Sequence, residues 1–212
     1  MKVTLVSVTK DMDKICGLAA ATCTASKNPH KALRHAIESG HESVLEHGHF
    51  TFLLEGVSRV TMAQLTRHRI ASYSIKSQRY CEIGSDDLVI PKSLEDTWLA
   101  DRVDELMKEV MNLYQELLDV GVPAEDARYI VPQGTTTDLV VTMNARELRH
   151  LFHLRCCNRA QWEIREMADE MFRICNEQQP EIFAKAGPGC VDGRCPELIP
   201  CGHPRNKNEW EC

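Results

Sequence analysis

No long hydrophobic run occurs in the sequence. Its apolar stretches end after a few residues, far short of the roughly 20 that a membrane-spanning helix needs. Positive charge is not in excess either. Lys and Arg number 25 against 31 Asp and Glu, a formal net charge of −6, which argues against binding bulk nucleic acid, usually the task of a basic domain. Internal repeats and low-complexity tracts are missing. With 43% apolar and 26% charged residues, the composition is that of an ordinary folded protein and excludes disorder as the main state. The opening MKVTLVSVTKDMDK has charge on both sides of a short apolar stretch and reads as a first strand, with no signal peptide. Ten cysteines are therefore not expected to form a disulfide framework, and buried thiols or a metal site are the alternatives.

What is present predicts one α+β domain. The 212 residues suit one or two domains, with one favoured. VTLVSVT alternates and is β-branched, as a strand requires. An Ala-rich helix follows in DMDKICGLAAATCTAS. Asn28-Pro29 supplies an N-cap and a proline at the first helical position of the next helix, with Leu33, Ala36 and Ile37 inward and Gly40 as its stop. HFTFLLEG reads as a strand, and SRVTMAQLTRHR as a short helix capped by Ser58 and running into a basic loop. DLVIP reads as a further strand. Trp98, Val103, Leu106, Val110, Leu113 and Leu117 recur at nearly helical intervals, predicting one long amphipathic helix from Ser93 to Asp119. PAEDARYIVP reads as a helical turn and TTTDLVVTM as a strand. Asn144 to Glu147 has the form of a capping box, opening a helix to about Arg155, with another from about Arg159 to Glu177. The expected architecture is a mixed or antiparallel sheet packed by helices over residues 1–186. Residues 187–212 form a Gly/Pro/Cys-rich C-terminal extension.

Several constellations can carry chemistry. From Gln64 to Tyr80 there are four cations, Arg67, Arg69, Lys76 and Arg79, and no acid. A guanidinium fork fits phosphate or carboxylate. If Arg67-His68-Arg69 is helical, its side chains fan out about 100° apart and can touch several parts of one anionic ligand. Ser72, Ser74 and Ser77 add hydroxyls, without any Walker or Rossmann glycine pattern. A solvated basic turn is the alternative. GHESVLEHGH gathers His41, Glu42, Glu46, His47 and His49, but Val44 and Leu45 prevent the H-E-x-x-H spacing, so polar loop contacts are favoured over metal. On the helix after Asn144, Arg155 ends a stripe made by Leu148, Leu151 and Phe152. Arg146, Arg149, His150 and His153 lie on or near the opposite face. A buried Arg needs an anion or acceptors, and a salt bridge or a ligand contact would each serve. Arg128 beside Glu125 and Asp126 reads as a surface pair. Cys190-x4-Cys195-x5-Cys201-Gly-His203 admits a tetrahedral zinc site, but the spacing is looser than paired C-x2-C motifs. A thiol-rich tail is favoured, and no metal is assigned. No Cys-His or Ser-His nucleophile system is visible.

RHRIASYSIKSQRY, with GHESVLEH before it and NARELRHLFHLR after it, resembles the flavin-dependent thymidylate synthases. The family signature is Arg-His-Arg, seven residues, then Ser, here Arg67-His68-Arg69 through Ser77. The likeness runs from the first strand to about Ala186. It implies reductive methylation of dUMP to dTMP, with methylenetetrahydrofolate giving the carbon, reduced FAD the hydride, and NADPH recharging the flavin. It also implies a cytoplasmic homotetramer with active sites between subunits, and no nucleic-acid or membrane partner. By resemblance, FAD is held by Ser43, Arg67, His68, Arg69, Ile75, Asn144, Arg146 and His150. The dUMP contacts are Gln64, Leu65, Thr66, Arg67, Ser77, Gln78, Arg79, Arg128 and Arg155. Arg155 matches the activating arginine set against the uracil, so no covalent enzyme nucleophile is required, and His41 is a candidate for nicotinamide or folate contact. The chain departs from the family pattern at Ser74-Ile75, where members often carry Asn-Glu, and at His150, where many have Asn. Arg146 and Arg155 lie nine residues apart on opposite faces of one helix, so they are expected to serve different active sites. In that arrangement the Arg67–Arg69 segment and Arg155 come from different chains. The rivals are a non-catalytic flavin or nucleotide carrier, and a zinc-dependent regulator using the tail.

Overall fold

The computed structural model describes residues 1–84, 87–193 and 195–205. Cys212 and the rest of the last seven residues lie outside these. The elements are β1 (Lys2–Val8), α1 (Met12–Thr24), α2 (Pro29–Glu38), β2 (His49–Ser58), α3 (Arg59–Leu65), β3 (Ala71–Ile75), α4 (Lys92–Glu95), α5 (Ala100–Asp119), α6 (Ala124–Ala127), β4 (Thr136–Asn144), α7 (Ala145–Arg155), α8 (Trp162–Gln178) and α9 (Pro180–Phe183). Short 3₁₀ turns occupy Glu42–His47, Arg128–Ile130 and Gly189–Asp192. The strands form one sheet in the order β1-β2-β4-β3. The mixture of helix with antiparallel sheet is the expected α+β class.

Two compact units divide the chain, each assembled from separate stretches. One comprises Met1–Lys2, Leu54–Thr66 and Ser74–Leu139, and the other Val3–Leu53, Arg67–Tyr73 and Val140–Cys212. The core of the second unit is aromatic. Phe183 meets Phe50 and Phe152 edge-on, with ring centres 5.6 and 5.9 Å apart, and Phe152 meets Phe172 at 5.5 Å. Such pairs contribute about 0.5–1.5 kcal/mol each beyond area burial. Leu148, Leu151 and Phe152 of α7 are fully buried, so the apolar stripe on that helix faces this core. α1 and α2 pack closely because Gly17 has no side chain; a Cβ there would come within 3.0 Å of the Pro29 carbonyl oxygen. The first unit is built around Ile83, Met111, Tyr114 and Ala127, with Leu117 and Leu118 packed against them.

The caps read from sequence are present. Asn28 Oδ1 accepts from the Lys31 amide, Ser58 Oγ from the Thr61 amide, and Asn144 Oδ1 from the Glu147 amide. Gly40 adopts φ +73° just past α2, the left-handed stop that glycine allows.

Other expectations need correction. DLVIP makes only an isolated antiparallel bridge, Leu88 with Thr135. The basic loop contains an unforeseen strand, β3, because Ala71, Tyr73 and Ile75 are half-buried while Ser72 and Ser74 face solvent. The long helix begins at Ala100, separated from α4 by Asp96 to Leu99. Its buried face is Met111 and Tyr114, whereas Trp98, Leu106 and Leu113 are exposed. Apolar spacing alone did not distinguish two neighbouring stripes. The second of the late helices starts at Trp162, not near Arg159. Within GHESVLEHGH, Glu42–His47 form a 3₁₀ turn ahead of β2.

Candidate active site

α3 ends at Leu65, with Thr66 as its C-cap, so Arg67, His68 and Arg69 lie beyond the helix. The helical fan expected of them is not formed. Instead the middle residue turns inward while its neighbours stay exposed, and His68 is 4% exposed. Tyr73 of β3 fixes this segment, because its hydroxyl donates to the His68 carbonyl oxygen at 2.8 Å.

Both ring nitrogens of His68 are engaged. Nδ1 lies 3.0 Å from Glu147 Oε1, and Arg155 Nε donates to Nε2 at 3.1 Å. A guanidinium has donors only, so Nε2 must be the unprotonated nitrogen. Nδ1 therefore carries the proton and donates to Glu147. The imidazole is neutral, which agrees with the direction of its pKa. Burial pushes it below 6.5, the hydrogen bond to Glu147 opposes that, and the charge of Arg155 adds to the lowering. Glu147, expected to complete a capping box, turns its carboxylate to His68 instead. Burial also lowers the pKa of Arg155, which remains a cation in water. Arg155 thus ends a relay that runs from Glu147 through His68. His150 packs edge-on to His68, with ring centres 5.7 Å apart.

Most of the other residues assigned to the flavin lie in the second unit. Ser43 is exposed on the 3₁₀ turn, and Asn144 caps α7. Arg146 pairs with Glu46 of that same turn, and Arg149 pairs with Glu42 at 2.8 Å. The acidic residues of GHESVLEHGH thus hold two arginines of α7. His150 and Arg149 border a cavity of about 290 Å³ reaching Lys185 and Gly187. Ile75, at the end of β3 in the first unit, is half-buried. Arg67 and Arg69 make no ion pair among the described residues.

Most residues assigned to dUMP lie in the first unit. Leu65 is fully buried, so its side chain belongs to the core and only its backbone can meet a ligand. Thr66 Oγ1 donates to the Met62 carbonyl oxygen at 3.0 Å. Ser77 Oγ accepts from the Arg79 amide at 3.2 Å. Arg79 Nε donates to Glu125 Oε2 at 2.7 Å, and Arg128 Nε to the Glu125 carbonyl oxygen at 3.0 Å. The carboxylate partner expected for Arg128 is therefore taken by Arg79.

One residue escaped the sequence reading. Arg59, at the start of α3, donates to the Lys76 carbonyl oxygen at 3.0 Å. Its pKa is lowered by burial and then by the charge of Arg128, so two guanidinium groups repel one another in this unit. Arg59 Nε and Gln78 Nε2 are buried without a hydrogen-bond partner among the described residues. Adjacent cations with orphaned donors are the chemistry of an anion site. A single Arg beginning a helix carries no motif, so only the folded arrangement reveals it.

The geometry can be set beside known proteins. A family model described as "Thymidylate synthase complementing protein" matches residues 4–181. The chain is 46% identical to the flavin-dependent thymidylate synthase of Geobacter sulfurreducens, over 93% of this chain and 91% of that one. It is 42% identical to that of Sulfolobus acidocaldarius, over 90% of this chain and 78% of that one. The Helicobacter pylori flavin-dependent thymidylate synthase, solved with FAD and dUMP, superposes with a TM-score of 0.75 at 26% identity, covering 88% of this chain and 100% of that one. A UMP/dUMP methylase from Streptomyces cacaoi, bound with 5-Br dUMP, gives a TM-score of 0.75 at 25% identity, covering 86% and 92%. With residues 4–181 matched by the family model and a curated relative 46% identical over 93% of this chain's length, the chain belongs to the flavin-dependent thymidylate synthase family.

Proposed function

We propose that this chain methylates dUMP at C5 to give dTMP, taking the carbon from methylenetetrahydrofolate and the reducing equivalents from NADPH through FAD. The reading rests above all on the held guanidinium of Arg155. Its Nε is committed to His68, so the orientation of the guanidinium plane is set before substrate arrives. Set against the uracil, that group stabilises negative charge as C5 becomes nucleophilic, and a preorganised donor needs no reorganisation at that moment. Glu147 keeps the proton of His68 on Nδ1, so Nε2 stays an acceptor for Arg155.

No cysteine is needed as a nucleophile. The Cys156 thiol, next to Arg155, is pushed well above its ordinary pKa by burial, with Asp169 adding to the effect. Burial likewise raises Cys16 to about 11. Neither is a thiolate at neutral pH, and the thiolate is the reactive form.

Arg59, Arg79, Arg128, Ser77 and Gln78 hold dUMP in this reading, with Arg59 and Arg128 facing its phosphate, whose charge relieves their mutual repulsion. The donor set also suits FAD, because exposed Arg67 and Arg69 can meet a pyrophosphate, with Ser43, Asn144, Arg146 and His150 as further contacts. FAD supplies the hydride when bound. Active sites are assembled between subunits of a cytoplasmic homotetramer.

An anaerobic assay with dUMP, methylenetetrahydrofolate and NADPH tests the reading. The expected result is dTMP from a yellow protein whose flavin spectrum shifts on adding dUMP. Protein that stays colourless with added FAD and yields no dTMP would refute it.

A further inference from the structure

We propose that Cys157, Cys190, Cys195 and Cys201 form a four-thiolate binding site for a zinc ion, which staples the C-terminal extension to the junction between α7 and α8. The inference does not depend on the reaction proposed above. The sequence offered three tail thiols and one imidazole; folding adds Cys157, just beyond α7, as a fourth thiol. All four cysteines line a single cavity of about 380 Å³, and all four are free thiols.

The extension has little else to hold it. Leu198 and Ile199 are 97% and 71% exposed, so neither side chain anchors it in an apolar core. Polar contacts tie it back. Asn158 Nδ2 donates to the His203 carbonyl oxygen at 2.7 Å, and Arg159 donates to that of Ile199. Arg205 grips Asp169 through two bonds of 2.6 and 2.7 Å. Short segments without a core are commonly fixed by metals or disulfides. Among the described residues, no three potential metal ligands already converge on one point. The thiols line the cavity walls, and the ion would draw them inward as it bound, coupling metal uptake to local ordering.

Four thiols bind Zn²⁺ with release of four protons, leaving a tetrahedral centre of net charge −2 and no redox change. Arg159 borders the cavity and offsets part of that charge, while Glu197 adds a carboxylate there. Cys157, Cys190 and Cys195 also line a neighbouring cavity of about 220 Å³ that reaches Arg155. The ion would therefore order a wall beside the activating residue.

The test uses full-length protein, reduced and stripped with a chelator, then titrated with zinc chloride and desalted. About one zinc per chain and a raised Tm are expected, and cobalt should give thiolate charge-transfer absorption. Cys195→Ser and Cys201→Ser each alter the extension and spare the core. Each should weaken zinc binding by more than the roughly 10–100-fold that loss of an outer-shell partner costs. Cys23→Ser, an exposed thiol in α1, should bind as the wild type does. Failure of reduced wild-type protein to take up zinc overturns the proposal. So does equal zinc binding by the two tail variants, or mass-spectrometric disulfides among these four cysteines that persist in reductant.

Discussion

Arg155 donates through Nε to Nε2 of His68, 3.1 Å away, and that bond dictates the tautomer of a buried histidine. It makes His68 a positioning residue for Arg155, although the resemblance assigned it to the flavin. Replacing Arg155 by Ala should lower turnover by about 100–1,000-fold, the usual cost of a preorganised charge-stabilising donor. It should also weaken dUMP binding while FAD is retained. Arg155→Lys keeps the charge but loses the planar fork, so it should recover dUMP binding better than turnover. Near-normal dTMP formation by the Ala variant would falsify the assignment.

The relay also gives a pH signature. Because the pKa of His68 is lowered in the folded state, chiefly by burial, the unfolded chain takes up a proton there before the folded one does. Its contribution to stability is full above the ordinary value of 6.5 and is lost as pH falls towards the folded value. Urea midpoints of the wild type and His68→Asn, compared between about pH 5 and 8, should show a shallower acid-side decline in the variant. Parallel curves would mean that His68 does not carry the effect. Glu147→Ala should destabilise by about 1–3 kcal/mol, because it leaves the Nδ1 proton buried without an acceptor.

The charge of Arg128 adds to burial in lowering the pKa of Arg59, so a phosphate between the two should be favoured. Arg128→Gln should raise the KM for dUMP roughly 10- to 100-fold, the range expected for a charged hydrogen bond, with a smaller change in kcat. Arg59→Met should bind dUMP less well yet melt no lower than the wild type without ligand, since it removes a half-buried, repelled charge. Unchanged dUMP affinity in both variants would place the phosphate elsewhere.

These contacts show which parts of the site the sequence could disclose. The caps were legible because Asn28, Ser58 and Asn144 each act on the amide three residues on. Arg155 was legible because it ends an apolar stripe on its own helix. Arg59 was not, since its significance depends on Arg128, 69 residues later. Glu147 was misassigned because its local option, the capping box, lost to a partner 79 residues away. On α5, Leu106 and Leu113 have the same period as Met111 and Tyr114, and only tertiary packing decides which stripe is buried.

The buried thiols should be chemically silent. With its pKa raised well above 9.0, Cys156 should resist iodoacetamide at neutral pH, while exposed Cys23 reacts. Cys156→Ala and Cys81→Ala should still methylate dUMP, although the first loses a packed core residue and some stability. A folded variant of either kind that binds both ligands yet makes no dTMP would restore a covalent mechanism.

His68 and Arg155 meet within one chain, so the Arg67–Arg69 segment and Arg155 do not have to be brought together from different chains, as the opposite faces of α7 first suggested. Arg146, by contrast, goes to Glu46, away from the relay. If active sites lie between subunits, the division runs between Arg146 and Arg155. Inactive Arg146→Ala and Arg155→Ala proteins, unfolded and refolded together, should then form mixed oligomers that regain part of the activity. A mixture of His68→Ala with Arg155→Ala should regain none, because each site would still take its relay from a single damaged chain. Native mass spectrometry would first establish that the chains had mixed. Recovery in the second mixture, or none in the first, would sink this division of the site.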